Sequence, residues 1–139
     1  KGWLVMDINI GNYLVQSLST TEVKAKLDTF VVGSTTYYAI FQGKSIPVAY
    51  QSLTKILQIY RTSVLTPHDF NAPLYTVNCR QPTEYDADTL AEIVYNEINR
   101  YFGTYSGDKM YTQCSIGQSI PEDDNRWNTP VEVRIFSKR

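Results

Sequence analysis

From Leu74 to Phe136 the hydrophobic pattern changes period twice, from alternation to helical spacing and back. Leu74–Arg80 sets Tyr75, Val77 and Cys79 on one side of an extended segment, the period of two that marks a strand. Leu90, Ile93, Val94, Ile98, Tyr101 and Phe102 then recur at spacings of three and four. That spacing predicts an amphipathic helix capped by Asp86 or Asp88 and running to about Phe102, with Gly103 at the left-handed position after its end. Glu92, Asn96 and Asn99 fall on its polar side, facing solvent. Alternation returns in Met110–Ile116, with Met110, Cys114 and Ile116 on one side, and again in Val131–Ile135, apolar in and charged out. Gly117–Pro130 between them predicts a polar hairpin loop of unusual length, the kind of connection that frequently carries function.

The first half is patterned less strongly. Ile8, Ile10, Tyr13, Leu14 and Leu18 predict a short helix over residues 7–18, despite Gly11. Ser19-Thr20-Thr21-Glu22 has the form of a capping box, opening one or two further turns that Asp28 closes. Phe30–Val32 and Thr35–Phe41 are strand-like, and Gly33-Ser34 suits a II′ turn between them. Gln42–Pro47 reads as a loop, Leu53–Val64 as a strand covered on both faces, and Thr66–Pro73, with its two prolines, as a surface loop. Together these elements predict an α+β fold: a mostly antiparallel mixed sheet packed against one long and one or two short helices. The 139 residues form a single domain, long enough to bury roughly two-thirds of the unfolded surface.

Composition narrows the function. Thirteen basic residues against fourteen acidic ones give a net charge of −1, without the basic footprint that phosphate recognition needs. Nucleic acid is therefore not expected as a specific partner. Two cysteines without a CxxC motif provide no disulfide framework. There is no N-x-[ST] acceptor, no signal-peptide pattern and no apolar run of membrane-spanning length. These features point to a soluble protein of a reducing compartment, with Met6 as the natural start and Lys1–Val5 as an upstream extension. Eleven tyrosines exceed the five phenylalanines and two tryptophans combined. Tyr pairs an apolar body with a polar tip, so this excess fits either an ordinary core or a subunit with extensive interfaces.

Reactive side chains are present but not arranged for chemistry. His68, the sole histidine, lies in the Pro-flanked loop with no nucleophile in a recognisable setting. With Cys79 and Cys114 it lacks the paired spacing of a zinc site, and the two thiols are expected to act as small core hydrophobes. Glu122, Asp123 and Asp124 lack the alternation and glycine of a calcium loop; they read as a solvated acidic face or one side of a charged contact. Trp127 beside them favours contact, because a Trp at a loop tip wants a surface to bury against. Gly103–Lys109 follows a helix rather than opening one and so makes no phosphate cradle. No cofactor, metal or catalytic residue is expected.

The order of elements resembles the tail-terminator, or tail-completion, proteins of long-tailed bacteriophages. The resemblance rests on the N-terminal helix, strands broken at Lys44–Pro47, the strand Leu74–Cys79 leading into Asp86–Val94, and the closing pair around Pro121–Asn125 and Val131–Phe136. It implies a non-enzymatic virion subunit, made in the bacterial cytoplasm, that forms a hexameric ring capping the tail tube and facing the head connector. The residues expected at its contacts are His68, Asp69, Phe70, Glu122, Asp123, Asp124, Arg126 and Trp127, with the acidic group facing Arg61 or Lys55 of the next subunit. Three rivals remain: a head-completion or neck protein at the same junction, a small ligand-binding or adaptor domain with an apolar pocket between helix and sheet, and an enzyme assembling His68, Asp69 and Glu122.

Overall fold

A computed structural model describes residues 11–62, 73–105, 107–122 and 125–138. The fold is α+β. Helix α1 covers residues 11–18, α2 is Thr21–Lys24, α3 is Glu84–Ile98, and Val48–Tyr50 forms one 3-10 turn. The strands are β1 (Thr29–Val32), β2 (Thr35–Tyr38), β3 (Ile40–Gln42), β4 (Ile56–Arg61), β5 (Leu74–Gln81), β6 (Phe102–Tyr105), β7 (Asp108–Ile116), β8 (Ile120–Glu122) and β9 (Arg126–Lys138). β1 and β2 make a two-stranded hairpin of their own. The other strands form one sheet in the order β3-β4-β5-β9-β7-β6, with β8 pairing on β9. Among the described residues only the β3–β4 pair is parallel.

Period-two patterning decides which face of the sheet takes the helices. Leu57 and Ile59, Val77 and Cys79, and Val131, Val133 and Ile135 lie on one face and are fully buried. α3 covers them with Leu90, Ala91, Val94 and Ile98, and α1 adds Leu14 and Leu18. Each fully buried Leu, Ile or Val contributes roughly 1.5–3 kcal/mol relative to an exposed one. This side of the sheet holds the main core. A second, smaller cluster lies on the other face at the β3 edge, where Phe41 and Ile56 meet Phe30, Ile46, Tyr50 and Leu53.

The elements depart from the predicted ones in ways with physical causes. α3 is capped by Thr83, whose side chain accepts from the Asp86 amide at 3.1 Å, so neither Asp86 nor Asp88 is the cap. It ends at Ile98, not Phe102. Arg100 takes the left-handed conformation (φ 55°), its amide donates to the Thr112 carbonyl, and Phe102 starts β6. Asn99 is not a solvent-facing residue: its side-chain oxygen accepts the Cys114 amide at 2.9 Å. Gly103 is needed for close approach rather than for a helix cap. A Cβ there would lie 2.8 Å from both the Tyr13 hydroxyl and the Tyr101 ring.

The segment Thr35–Phe41 is two strands rather than one. The chain crosses from the hairpin to the main sheet at Ala39, whose amide donates to the Asp28 carbonyl and whose carbonyl accepts from Leu57, both at 2.9 Å. Gly33 holds the positive φ (63°) that the first position of a II′ turn requires. The cap of α2 is Thr20, accepting from Val23, whereas the Ser19 hydroxyl donates back to Val15. Asp28 closes no helix; its carboxylate accepts the amides of Thr54 and Lys55 at 3.2 and 3.1 Å and ties the hairpin's base to β4.

The predicted long loop Gly117–Pro130 is mostly strand. β8 folds back on the first residues of β9, pairing Ile120 with Asn128 and Glu122 with Arg126. Pro130 therefore lies within a central strand, yet at the point where β7 has ended and β8 has not begun. Its carbonyl accepts from Gly117 on that side, so the missing N–H costs no ladder bond.

Candidate functional site

The face of the sheet turned away from α3 carries the distinctive residues, and strand register divides it into three zones. The satellite cluster occupies the β3 edge. A polar network fills the middle: Gln58, Asn78 and Asn128 are buried, and the Asn128 amide donates to Asn78 Oδ1 at 3.0 Å. Arg80 Nη1 donates to Gln58 Oε1, and Arg80 Nε to Glu122 Oε1 at 2.9 Å. At the β6 edge, Phe102, Tyr111 and Phe136 stand opposite one another on adjacent strands, with ring centroids 4.4 and 6.2 Å apart.

Of the eight sequence-predicted contact residues, the structure describes three: Glu122, Arg126 and Trp127. His68, Asp69 and Phe70, within residues 63–72, and Asp123 and Asp124 lie outside the described residues. Glu122 lies between two guanidiniums of its own chain, Arg80 and Arg126, the second at 3.7 Å. Arg126 also donates to the carbonyls of Gln51 and Leu53 at 3.1 and 3.0 Å. Trp127 is not at a loop tip; it is a half-buried residue of β9, in register with Gln81 and Pro121. The part of the acidic hairpin that is described is therefore fastened to its own subunit.

The prominent exposed surface is the β1–β2 hairpin, which sequence reading treated only as a strand pair. Val31, Val32, Tyr37 and Tyr38 are 62, 51, 47 and 41% exposed. Register puts Val32 with Phe30 and Tyr37 on one face of the hairpin and Val31 with Tyr38 on the other, so both faces are apolar. A two-stranded hairpin is marginal by itself, and this one is held at its root. Phe30 packs on Tyr37, Phe41 and Tyr50 with centroids 5.7, 5.5 and 4.2 Å away, and Lys24 Nζ sits 5.3 Å from the Tyr38 ring. The missed signal was composition: Thr29–Tyr38 contains no charged residue, unusual for a segment about to stand in water.

The depressions on the described surface are open. One of about 580 Å³ runs between α3 and residues 116–119, past Tyr85, Asp88, Thr89 and Glu92. Asp88 accepts there from Ser119 and Thr129. Another, of about 360 Å³, lies over the polar network beside Lys44 and Tyr60. Among the described residues no three His, Cys, Asp or Glu side chains gather as metal ligands, and no helix is long and apolar enough to cross a membrane.

The cysteines do not form a reactive pair. Cys79 is fully buried, and burial pushes its thiol far above the ordinary range; burial raises Cys114 to about 12. Below an unfolded-state value of about 8.5 both states keep their protons and stability is unaffected. As pH climbs from there towards the native values, the unfolded chain ionises first and stability falls. The urea midpoint is therefore expected to drop between about pH 8 and pH 10.5, and the drop to shrink in a variant carrying Cys79→Ala and Cys114→Ala. An unchanged slope in that variant would assign the effect to other groups.

No protein-family model matches this chain, and no curated protein matches it at a significant level.

Proposed function

We propose that this protein is a structural subunit of a bacteriophage virion, a tail terminator or tail-completion protein that assembles into a ring between tail tube and head. The observation that carries the reading is the hairpin arm, rooted by an aromatic cluster yet apolar on both exposed faces. Burying such a segment needs another protein surface, and an assembly subunit supplies one in every neighbouring copy. The rest of the molecule suits a rigid body for that arm. α3 and the sheet are packed through fully buried side chains, leaving the helix–sheet interface filled rather than open for a ligand. Glu122, the carboxylate an acid–base site would draw on, is engaged by two arginines.

Size-exclusion chromatography with light scattering, combined with electron microscopy of the protein alone and mixed with purified tail tubes, tests the reading. The expected result is a discrete ring, six-fold by the family resemblance, that binds tube ends. A strict monomer at high concentration that also ignores tube ends would sink it.

A further inference from the structure

The 360 Å³ depression over the polar network is lined by Lys44, Gln58, Tyr60, Asn78 and Arg80, and its donors outnumber its acceptors. Gln58 and Asn78 are 3 and 6% exposed, so their amides form a floor rather than a solvated rim. The acceptors of that floor are already used. Gln58 Oε1 accepts from Arg80 Nη1, and Asn78 Oδ1 accepts from the Asn128 amide at 3.0 Å. The donors are not used to the same extent. Asn78 Nδ2 reaches Gln58 Oε1 and the Tyr60 hydroxyl only at 3.4 and 3.5 Å, beyond the ordinary range for such bonds. The Tyr60 O–H, Arg80 Nη2 and Lys44 Nζ donate to no acceptor among the described residues. Asn128 Oδ1, a buried acceptor without a partner among the described residues, belongs to a residue outside the lining.

We infer that this depression binds a small oxyanion, the carboxylate or phosphate group of a free ligand. A buried amide left with only long bonds is costly, and a ligand made of acceptors relieves it while meeting the other three donors. Charge selects the same class. Glu122 is the one carboxylate between Arg80 and Arg126, and Lys44 adds a third cation. Three cations against one anion leave +2 at this place, on a chain whose net charge is −1. Glu132, also on this face, lines a separate depression with Arg134. A cationic ligand would be repelled, and a ligand rich in donors would find the floor's acceptors taken. The backbone holds Lys44 in place for this role. Gly43 beside it accepts from Gln58 Nε2 at 2.9 Å and donates to the Ile59 carbonyl at 2.8 Å. Its φ of 118° is one that glycine adopts readily and other residues do not. A single anionic group is the right scale for such a site, which lacks the extended basic track of a nucleic-acid surface. The inference goes beyond the assembly reading and does not depend on it.

Inorganic phosphate and carbon-13 acetate, each titrated against the full-length protein at ionic strength held constant with chloride, test this. Line broadening of the phosphorus or carbon resonance reads the bound fraction. Saturable broadening is expected with at least one of them, and the tighter of the two says whether the site suits a tetrahedral or a planar group. Lys44→Glu, at an exposed position, should keep native circular dichroism and weaken binding by about tenfold or more. Tyr60→Phe, which removes one donor and no packing, should weaken it about threefold. Lys26→Glu makes the same charge change at another exposed position, just beyond α2, and should alter binding by less than about twofold. Broadening that saturates with neither anion overturns the proposal. So does binding that survives both Lys44→Glu and Tyr60→Phe, and so does a loss as large in Lys26→Glu as in Lys44→Glu, which would show general attraction rather than a site. Saturable binding through Lys44 in a chain that stays monomeric upholds the site while the ring reading falls.

Discussion

Leu90→Ala is expected to remove about 3 kcal/mol of stability. Leu90 is fully buried on α3, within the one cluster that joins helix, β5 and β9. The loss combines the transfer free energy of the missing methyl groups with the cavity they leave, and strands fixed on both sides have little freedom to collapse into it. A domain of 139 residues has roughly 7–20 kcal/mol in total, so the change is a large fraction and corresponds to a melting shift near 10 °C. Tyr85→Ala on the same helix is the control. Tyr85 is 78% exposed, and its loss should stay within about 0.5 kcal/mol. Urea unfolding followed by circular dichroism at one fixed protein concentration measures both. A Leu90→Ala loss below about 1 kcal/mol would mean that α3 is not packed on the sheet as described.

Glu122→Gln should cost about 2 kcal/mol of subunit stability and leave assembly intact. The carboxylate accepts two bonds from Arg80 Nε, at 2.9 and 3.3 Å, and stands 3.7 Å from Arg126 Nε. The side chains of Arg80, Glu122 and Arg126 are 14, 24 and 17% exposed, well shielded but not dry. Losing the charge leaves two guanidiniums facing each other without a counter-ion. For fully buried pairs that costs about 3–5 kcal/mol, and partial solvent access here lowers it. The contrast with a rim contact is sharp: a carboxylate serving only a neighbouring subunit would change assembly and salt dependence with the monomer's unfolding unchanged. Unfolding and light-scattering measurements on the same preparation separate the two cases.

The errors in reading helix and loop boundaries share a cause. Tyr101 and Phe102 continue the helical spacing of α3, and nothing local forbids a further turn. Backbone bonds to Thr112, ten or more residues away, divert the chain into β6 instead. Likewise Pro121–Trp127 looks like a solvated acidic loop, because its polarity is real. Its carboxylate is answered by Arg80, 42 residues earlier, a partner that sequence distance conceals. Cys79, by contrast, was legible as a core residue from its strand alternation alone.

Sequence by itself determined the α+β class, the helix near Leu90–Ile98, the strands around Val77, Cys114 and Val133, and the hairpin turn at Gly33. These depend on periodicity and on turn chemistry within a few residues, both of which are local. Tertiary structure alone decided that β9 lies between β5 and β7, that Ala39 splits one apparent strand between two sheets, and that Glu122 is held within its own subunit. It also decided that the arm and the aromatic ladder stand at opposite ends of the sheet. Those facts depend on which distant segments satisfy one another's hydrogen bonds, charges and apolar area, and no single stretch of chain carries both halves of such a pairing.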